Sequence, residues 1–202
     1  MKYKLTDNKI EKYGRTLFQI ESLVNFGSVK VGDLGGWIEK ESNLSQDGNA
    51  WVAGNARVTG NARVTGNAWV TGNACVTGDA WVTGNARVTG NARVTGNARV
   101  TGNACVAGDA CVAGDAWVAG DADMILVSKI GSRLGTTTAF RCKNGDIKIS
   151  CGCFLGIIED FTAAVKRKHG DSKFGKEYNL VIELIKVHFG VETIEEPRAN
   201  EA

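Results

Sequence analysis

Histidine is nearly absent: only His169 and His188 occur in 202 residues. A zinc site made of three histidines is therefore impossible, and no histidine base stands anywhere before residue 169. An excess of one charge is lacking too, because 24 Lys and Arg offset 22 Asp and Glu to leave +2. No polybasic tract occurs, so nucleic acid is not an expected partner. No stretch approaches the ~18 apolar residues of a membrane span. Met1 to Ile10 is polar and mixed in charge, without the apolar core of a signal peptide. The expectation is a soluble cytoplasmic protein with no membrane partner. Six cysteines are present, but Cys75, Cys105 and Cys111 occupy repeat positions that cannot reach one another. The thiols are read as reduced.

What the chain has in abundance is a six-residue unit. From Gly48 it reads Gly-Asn/Asp-Ala-x-Val-Thr/Ala thirteen times, with valine at every sixth position from 52 to 118 and Met124 in the last unit. Within a unit such as Ala56, Arg57, Val58 and Thr59, small-apolar, variable, apolar and polar residues alternate. That is the period of a short strand with one buried face, so Ala and Val should point inward. Gly60 and Asn61 then supply a corner, since glycine carries no Cβ penalty and Asn or Asp tolerates the left-handed region. Helical solenoids, whose units run to roughly 20 to 45 residues, are excluded.

If three hexads complete a coil, residues eighteen apart stack. The outward position then sorts into Trp51, Trp69, Arg87 and Cys105 on one face, Arg57, Cys75, Arg93 and Cys111 on a second, and Arg63, Trp81, Arg99 and Trp117 on a third. Guanidinium and indole alternate on the third face, at a spacing that permits cation–π contact. Such ladders either brace a solvated wall or are buried between copies of the chain. The composition of interface cores favours the second reading, a homo-oligomer, trimer favoured, joined through Trp51, Trp69, Trp81, Arg99 and Trp117.

The hexads of residues 46 to 123 resemble the hexapeptide-repeat family, in which three hexads form one triangular coil of a left-handed parallel β-helix. The resemblance implies a left-handed parallel β-helix over 46–123, of a little over four coils for thirteen hexads; with its flanks the expectation is a mainly β chain with an N-terminal β cap over 1–45, a small C-terminal α+β domain over 124–190, and a polar tail over 191–202. Many members are acyltransferases with a histidine base and a loop excursion from the coil, and another branch binds metal through three histidines. Neither feature is present here, so no catalytic residue and no cofactor are expected. Ice-binding members carry Thr-x-Thr arrays, of which only half exists here. The segment around Gly35-Gly36-Trp37 resembles the lead-in of such proteins in bacteriophages and gut bacteria. The block from Gly131-Ser132-Arg133-Leu134-Gly135 through Cys151-Gly152-Cys153-Phe154 to His169-Gly170-Asp171 resembles a domain appended to repeat proteins in phages and their hosts.

In the flanks, Thr16 to Val24 and Val29 to Val31 read as a hairpin, and Gly35-Gly36 as a capping turn. Downstream, strands are expected over Met124–Ile130, Thr137–Cys142 and Ile147–Ser150, the last two joined across Asn144-Gly145. Helices follow over Ile158–Lys168 and Gly175–Phe189. Residues 131 to 138 read as a glycine-flanked loop whose Ser132, Arg133, Thr136, Thr137 and Thr138 can donate to phosphate or carboxylate oxygens. Arg133 is its only cation. Arg93 or Arg99 of the ladders is the competing anchor. Cys151, Cys153, His169 and His188 are weak metal candidates, because Cys-x-Cys lacks the usual knuckle spacing. The functional expectation is a non-enzymatic binding protein whose partner is an anionic small molecule of nucleotide type or a host protein. In a phage setting, within the host cytoplasm, this would serve counter-defence. A virion or tail-associated spacer is the structural alternative, and an unrecognised acyltransferase or hydrolase the remaining one.

Overall fold

The computed structural model describes residues 1–191, so the expected polar tail lies outside the described residues from 192 onward. Its centre is a parallel β-solenoid of about five turns with 18-residue coils. Twelve of the thirteen hexads contribute a two-residue strand each, from β4 (Trp51–Val52) through to β15 (Trp117–Val118), and the last runs into a longer strand. The sorting by eighteens holds: Arg57 pairs with Cys75, Cys75 with Arg93 and Arg93 with Cys111, while Arg63, Trp81, Arg99 and Trp117 stack on another face. Ala56, Val58 and their equivalents are fully buried, so the interior is a column of methyl groups.

The backbone amides of one rung donate to the carbonyls of the next, as from Arg57 to Ala74 at 2.9 Å and from Asn61 to Gly78 at 2.8 Å. The corner glycines explain the tight stacking. Gly84 has φ +70°, and a Cβ there would meet the Gly102 amide nitrogen and carbonyl oxygen at 2.9 Å. Neither the conformation nor the space admits another side chain.

Two corrections concern the N-terminal side. The coil does not start with the hexads: β3 (Leu34–Ile38) already pairs in parallel with Arg57–Val58, and Leu44 bridges to Val64. This supplies the turn beyond the four expected. Gly35 and Gly36 belong to this strand and form no turn. A Cβ on Gly36 would lie 2.7 Å from the Ala56 carbonyl, so glycine permits the approach of the strand to the first rung.

The hairpin also differs from expectation, because β2 (Arg15–Ser22) pairs antiparallel with β1 (Tyr3–Lys12) across the two-residue turn Tyr13-Gly14. Val29 meets only Phe26, in an isolated antiparallel bridge, and Lys30 and Val31 are loop. The Asn25 and Asp33 side chains accept from the Val31 and Lys30 amides, satisfying donors that a strand would have used.

Beyond the last rung lie β16 (Met124–Ile130), β17 (Gly135–Arg141), β18 (Ile147–Cys151) and β19 (Phe154–Ile157), an antiparallel sheet in that order. The helices α1 (Ile158–His169) and α2 (Lys173–Phe189) follow, close to the expected spans. The short β19 was not anticipated.

Both faces of the sheet are covered. Phe140 and Cys142 join the solenoid core, while Ala139 and Ile149 pack with Phe161, Val165, Val181, Ile182 and Ile185 of the helices. Hence β17 seals the open end of the coil. The Cys111 amide donates to Thr138 Oγ1 at 3.1 Å, and the Lys143 amide to the Asp115 carbonyl at 3.2 Å.

Candidate functional site

The loop expected over 131–138 is shorter than it appeared. Only Gly131 to Leu134 forms a turn, held to α2 by the Gly131 amide donating to Glu177 Oε2 at 2.7 Å. Thr136, Thr137 and Thr138 lie within β17, where successive side chains face opposite ways.

Thr137 and Thr138 therefore need correction as ligand donors. Each is 1% exposed; Thr138 accepts from the Cys111 amide, and the Thr137 hydroxyl donates to Cys151 Sγ at 3.2 Å. Ser132, Arg133 and Thr136 remain on the wall of a cavity of about 530 Å³. It opens between the turn, the end of β18, α1, α2 and the second face of the solenoid.

Three cations reach this cavity from three directions: Arg133 from the turn, Lys168 from α1 and Arg93 from the solenoid wall. Among the described residues Asp109 is the only carboxylate on its lining. Arg133 and Arg93, alternatives in the sequence, thus border one space. Arg99 lies on another face of the solenoid.

The floor is aromatic. The ring of Phe161 lies 5.1 Å from Phe154 and 5.8 Å, edge-on, from Tyr178, whose ring in turn lies 5.5 Å from His169. Burial pushes the Tyr178 hydroxyl up to about 12, reinforced by the neighbouring Cys151 sulfur, while Arg133 pulls the other way. Tyr178 is therefore a neutral donor at physiological pH.

Cys151, Cys153 and His169 border the same cavity, whereas His188 is exposed near the end of α2, edge-on to Phe189. Among the described residues no three His, Cys, Asp or Glu side chains cluster as metal ligands would.

The tryptophans divide. Trp51 is not on an outer surface: it is 2% exposed, with Tyr3 and Phe26 edge-on at 6.5 and 5.5 Å. The N-terminal segment folds over it and satisfies within the chain what had been assigned to a partner. Trp69 is half-buried against the core. Trp81 and Trp117 keep 39% and 38% of their surface exposed, with the Arg99 guanidinium between them at 5.6 and 5.9 Å from their rings.

Lys168, Phe154, Phe161 and Tyr178 were not foreseen as site residues. The apolar spacing of Phe161 and Tyr178 was legible as a helix face, but which helix faces which rung is not written in that spacing. Fold and cavity together define a class, a capped parallel β-solenoid carrying a cation-rimmed, aromatic-floored cavity at its closed end. No protein-family model matches the chain, and no match is found among curated proteins.

Proposed function

We propose that this chain is a non-enzymatic binding protein, a left-handed β-solenoid of the hexapeptide-repeat kind that holds an anionic small molecule in the cavity at its closed end. The observation that carries the reading is the convergence of Arg93, Arg133 and Lys168 on a space that has, among the described residues, one carboxylate and an aromatic floor. Guanidinium groups grip phosphate or carboxylate through paired hydrogen bonds, and aromatic rings receive a planar base. A nucleotide-type ligand suits both halves.

The Trp81, Arg99 and Trp117 face serves self-association, with a trimer favoured. The resemblance to phage and gut-bacterial repeat proteins supplies the setting: sequestration of a signalling nucleotide in the host cytoplasm as counter-defence.

Mass spectrometry of protein purified from phage-infected cells should recover a retained anion, which calorimetry then titrates against variants. A charge-assisted hydrogen bond contributes about 1.5 to 3 kcal/mol, so Arg133→Ala should weaken binding roughly tenfold or more with little change in folding. Arg93→Ala should act in the same direction. Unchanged affinity in both variants sinks the cavity as the site, and no recoverable ligand favours a host-protein partner or a structural spacer.

A further inference from the structure

A second cavity, of about 490 Å³, lies at the other end of the second face, between the tip of the β1–β2 hairpin and the first rungs. Among the described residues its lining includes Lys12, Arg15, Arg57 and Arg93 and no carboxylate. Arg15 is already engaged, since its guanidinium meets both oxygens of Glu39 at 2.8 and 2.7 Å. Among the described residues, no ion pair takes Lys12, Arg57 or Arg93. The Arg57 Nε is buried without a hydrogen-bond partner among the described residues. A buried donor left unpaired is costly, and no hydrogen bond or ion pair among the described residues fixes the Arg57 guanidinium on this wall.

The rim supplies an independent observation. Tyr13 and Gly14 both have positive φ, +54° and +71°, at the tip of the hairpin. Turns of that geometry favour Asn-Gly, because a side chain other than Asn or Asp is strained there. Tyr13 is nevertheless placed at this position and left 88% exposed, so packing within the chain gives no return for the strain. Strain without packing at the rim of a cavity is a mark of function.

We propose that this groove is a second binding site, for a planar aromatic anion of the nucleoside monophosphate class. The phosphate sits between Arg57 and Arg93, which stand two rungs apart with Cys75 between them. The base stacks on the Tyr13 ring. The proposal stands independently of the first cavity, although Arg93 borders both.

Calorimetric titration of the full chain with AMP and with ribose 5-phosphate, in the native protein and in Arg133→Ala, tests it. AMP should bind more tightly than ribose 5-phosphate in both proteins. Arg57→Gln should weaken both compounds about tenfold, the loss of a charge-assisted contact. Tyr13→Asn should erase the advantage of AMP while raising the melting temperature, because asparagine suits the turn. That opposition of signs separates lost stacking from lost folding. Equal affinities for the two compounds in the native chain would overturn the proposal, as would indifference to Arg57→Gln or no binding at millimolar concentration. Binding lost in Arg133→Ala but retained in Arg57→Gln would place AMP in the first cavity and equally overturn it.

Discussion

Lys2 shows how a single side chain closes the lower end of the coil. Its ammonium donates to the carbonyls of Ala50, Gly48 and Asp47 at 2.9, 3.3 and 3.4 Å and lies 5.3 Å from the Phe26 ring centre. Burial lowers its pKa from 10.5 to about 8, against the attraction of Asp47. The unfolded chain then keeps a proton that the folded chain has released between about pH 8 and 10.5, so stability from this group rises with pH across that window. Thermal melts should show the native protein gaining on Lys2→Met as pH is raised from 8 towards 10. A flat difference would mean that Lys2 stays solvated. The Tyr3 and Tyr178 hydroxyls, both pushed up by burial, act with the opposite sign above pH 10 and cancel in the comparison.

A second prediction at this scale concerns the corner ladders. Asn55, Asn73, Asn91 and Asp109 form an unbroken run in which each amide donates one rung upward. The parallel run from Asn61 through Asp79 and Asn97 to Asp115 is interrupted, because a carboxylate at Asp79 accepts from Asn61 but cannot donate to Asn97. Asp79→Asn should join the two halves and add about 0.5 kcal/mol, the low end for an exposed hydrogen bond. Denaturant titration measures it, and a loss of stability would show that the carboxylate has another role.

At the scale of elements, the solenoid depends on what meets its two ends, since an uncovered coil exposes unpaired backbone. Asn43 serves the lower end: fully buried, it donates to the Gly60 and Ala62 carbonyls at 3.1 and 2.8 Å and accepts from the Lys40 amide. β17 serves the upper end, through Thr138. Replacing Thr138 with valine keeps the shape and leaves the Cys111 amide without its acceptor, at a cost of about 1 to 3 kcal/mol. Thr137→Val should cost less, because that hydroxyl meets only a thiol. Chemical denaturation of the two variants ranks them. Equal losses would mean that the hydroxyl of Thr138 does not close the coil.

For the whole molecule, the question is what the third face does. Arg99 between Trp81 and Trp117 can brace a solvated wall by itself, with each such contact worth about 0.5 to 1 kcal/mol when exposed. Over a third of each indole nevertheless remains uncovered. Light scattering should therefore report a homo-oligomer at micromolar concentration, and Trp81→Ser with Trp117→Ser should lower the mass while leaving the β-rich circular dichroism intact. A native protein that scatters as a monomer assigns these residues to bracing alone.

The coil was legible because its cause is local and repeated. Each hexad carries its own strand period and its own corner glycine, and a slip of one residue would turn every Ala and Val outward. The eighteen-residue register and the Arg99 ladder follow from that repetition. Hairpin, cap and cavity have no such redundancy. Whether Trp51 faced a partner or the chain itself depended on where Tyr3 and Phe26 fold back, and a tryptophan at that position reads the same in either case. The Tyr13-Gly14 turn escaped notice because tyrosine is not the residue such turns favour. Arg93, Arg133, Lys168 and Tyr178 meet only because β17 seals the last rung and carries the helices with it. Periodicity shows which face of an element is apolar. The packing of that face against a distant segment decides which polar groups converge at its edge.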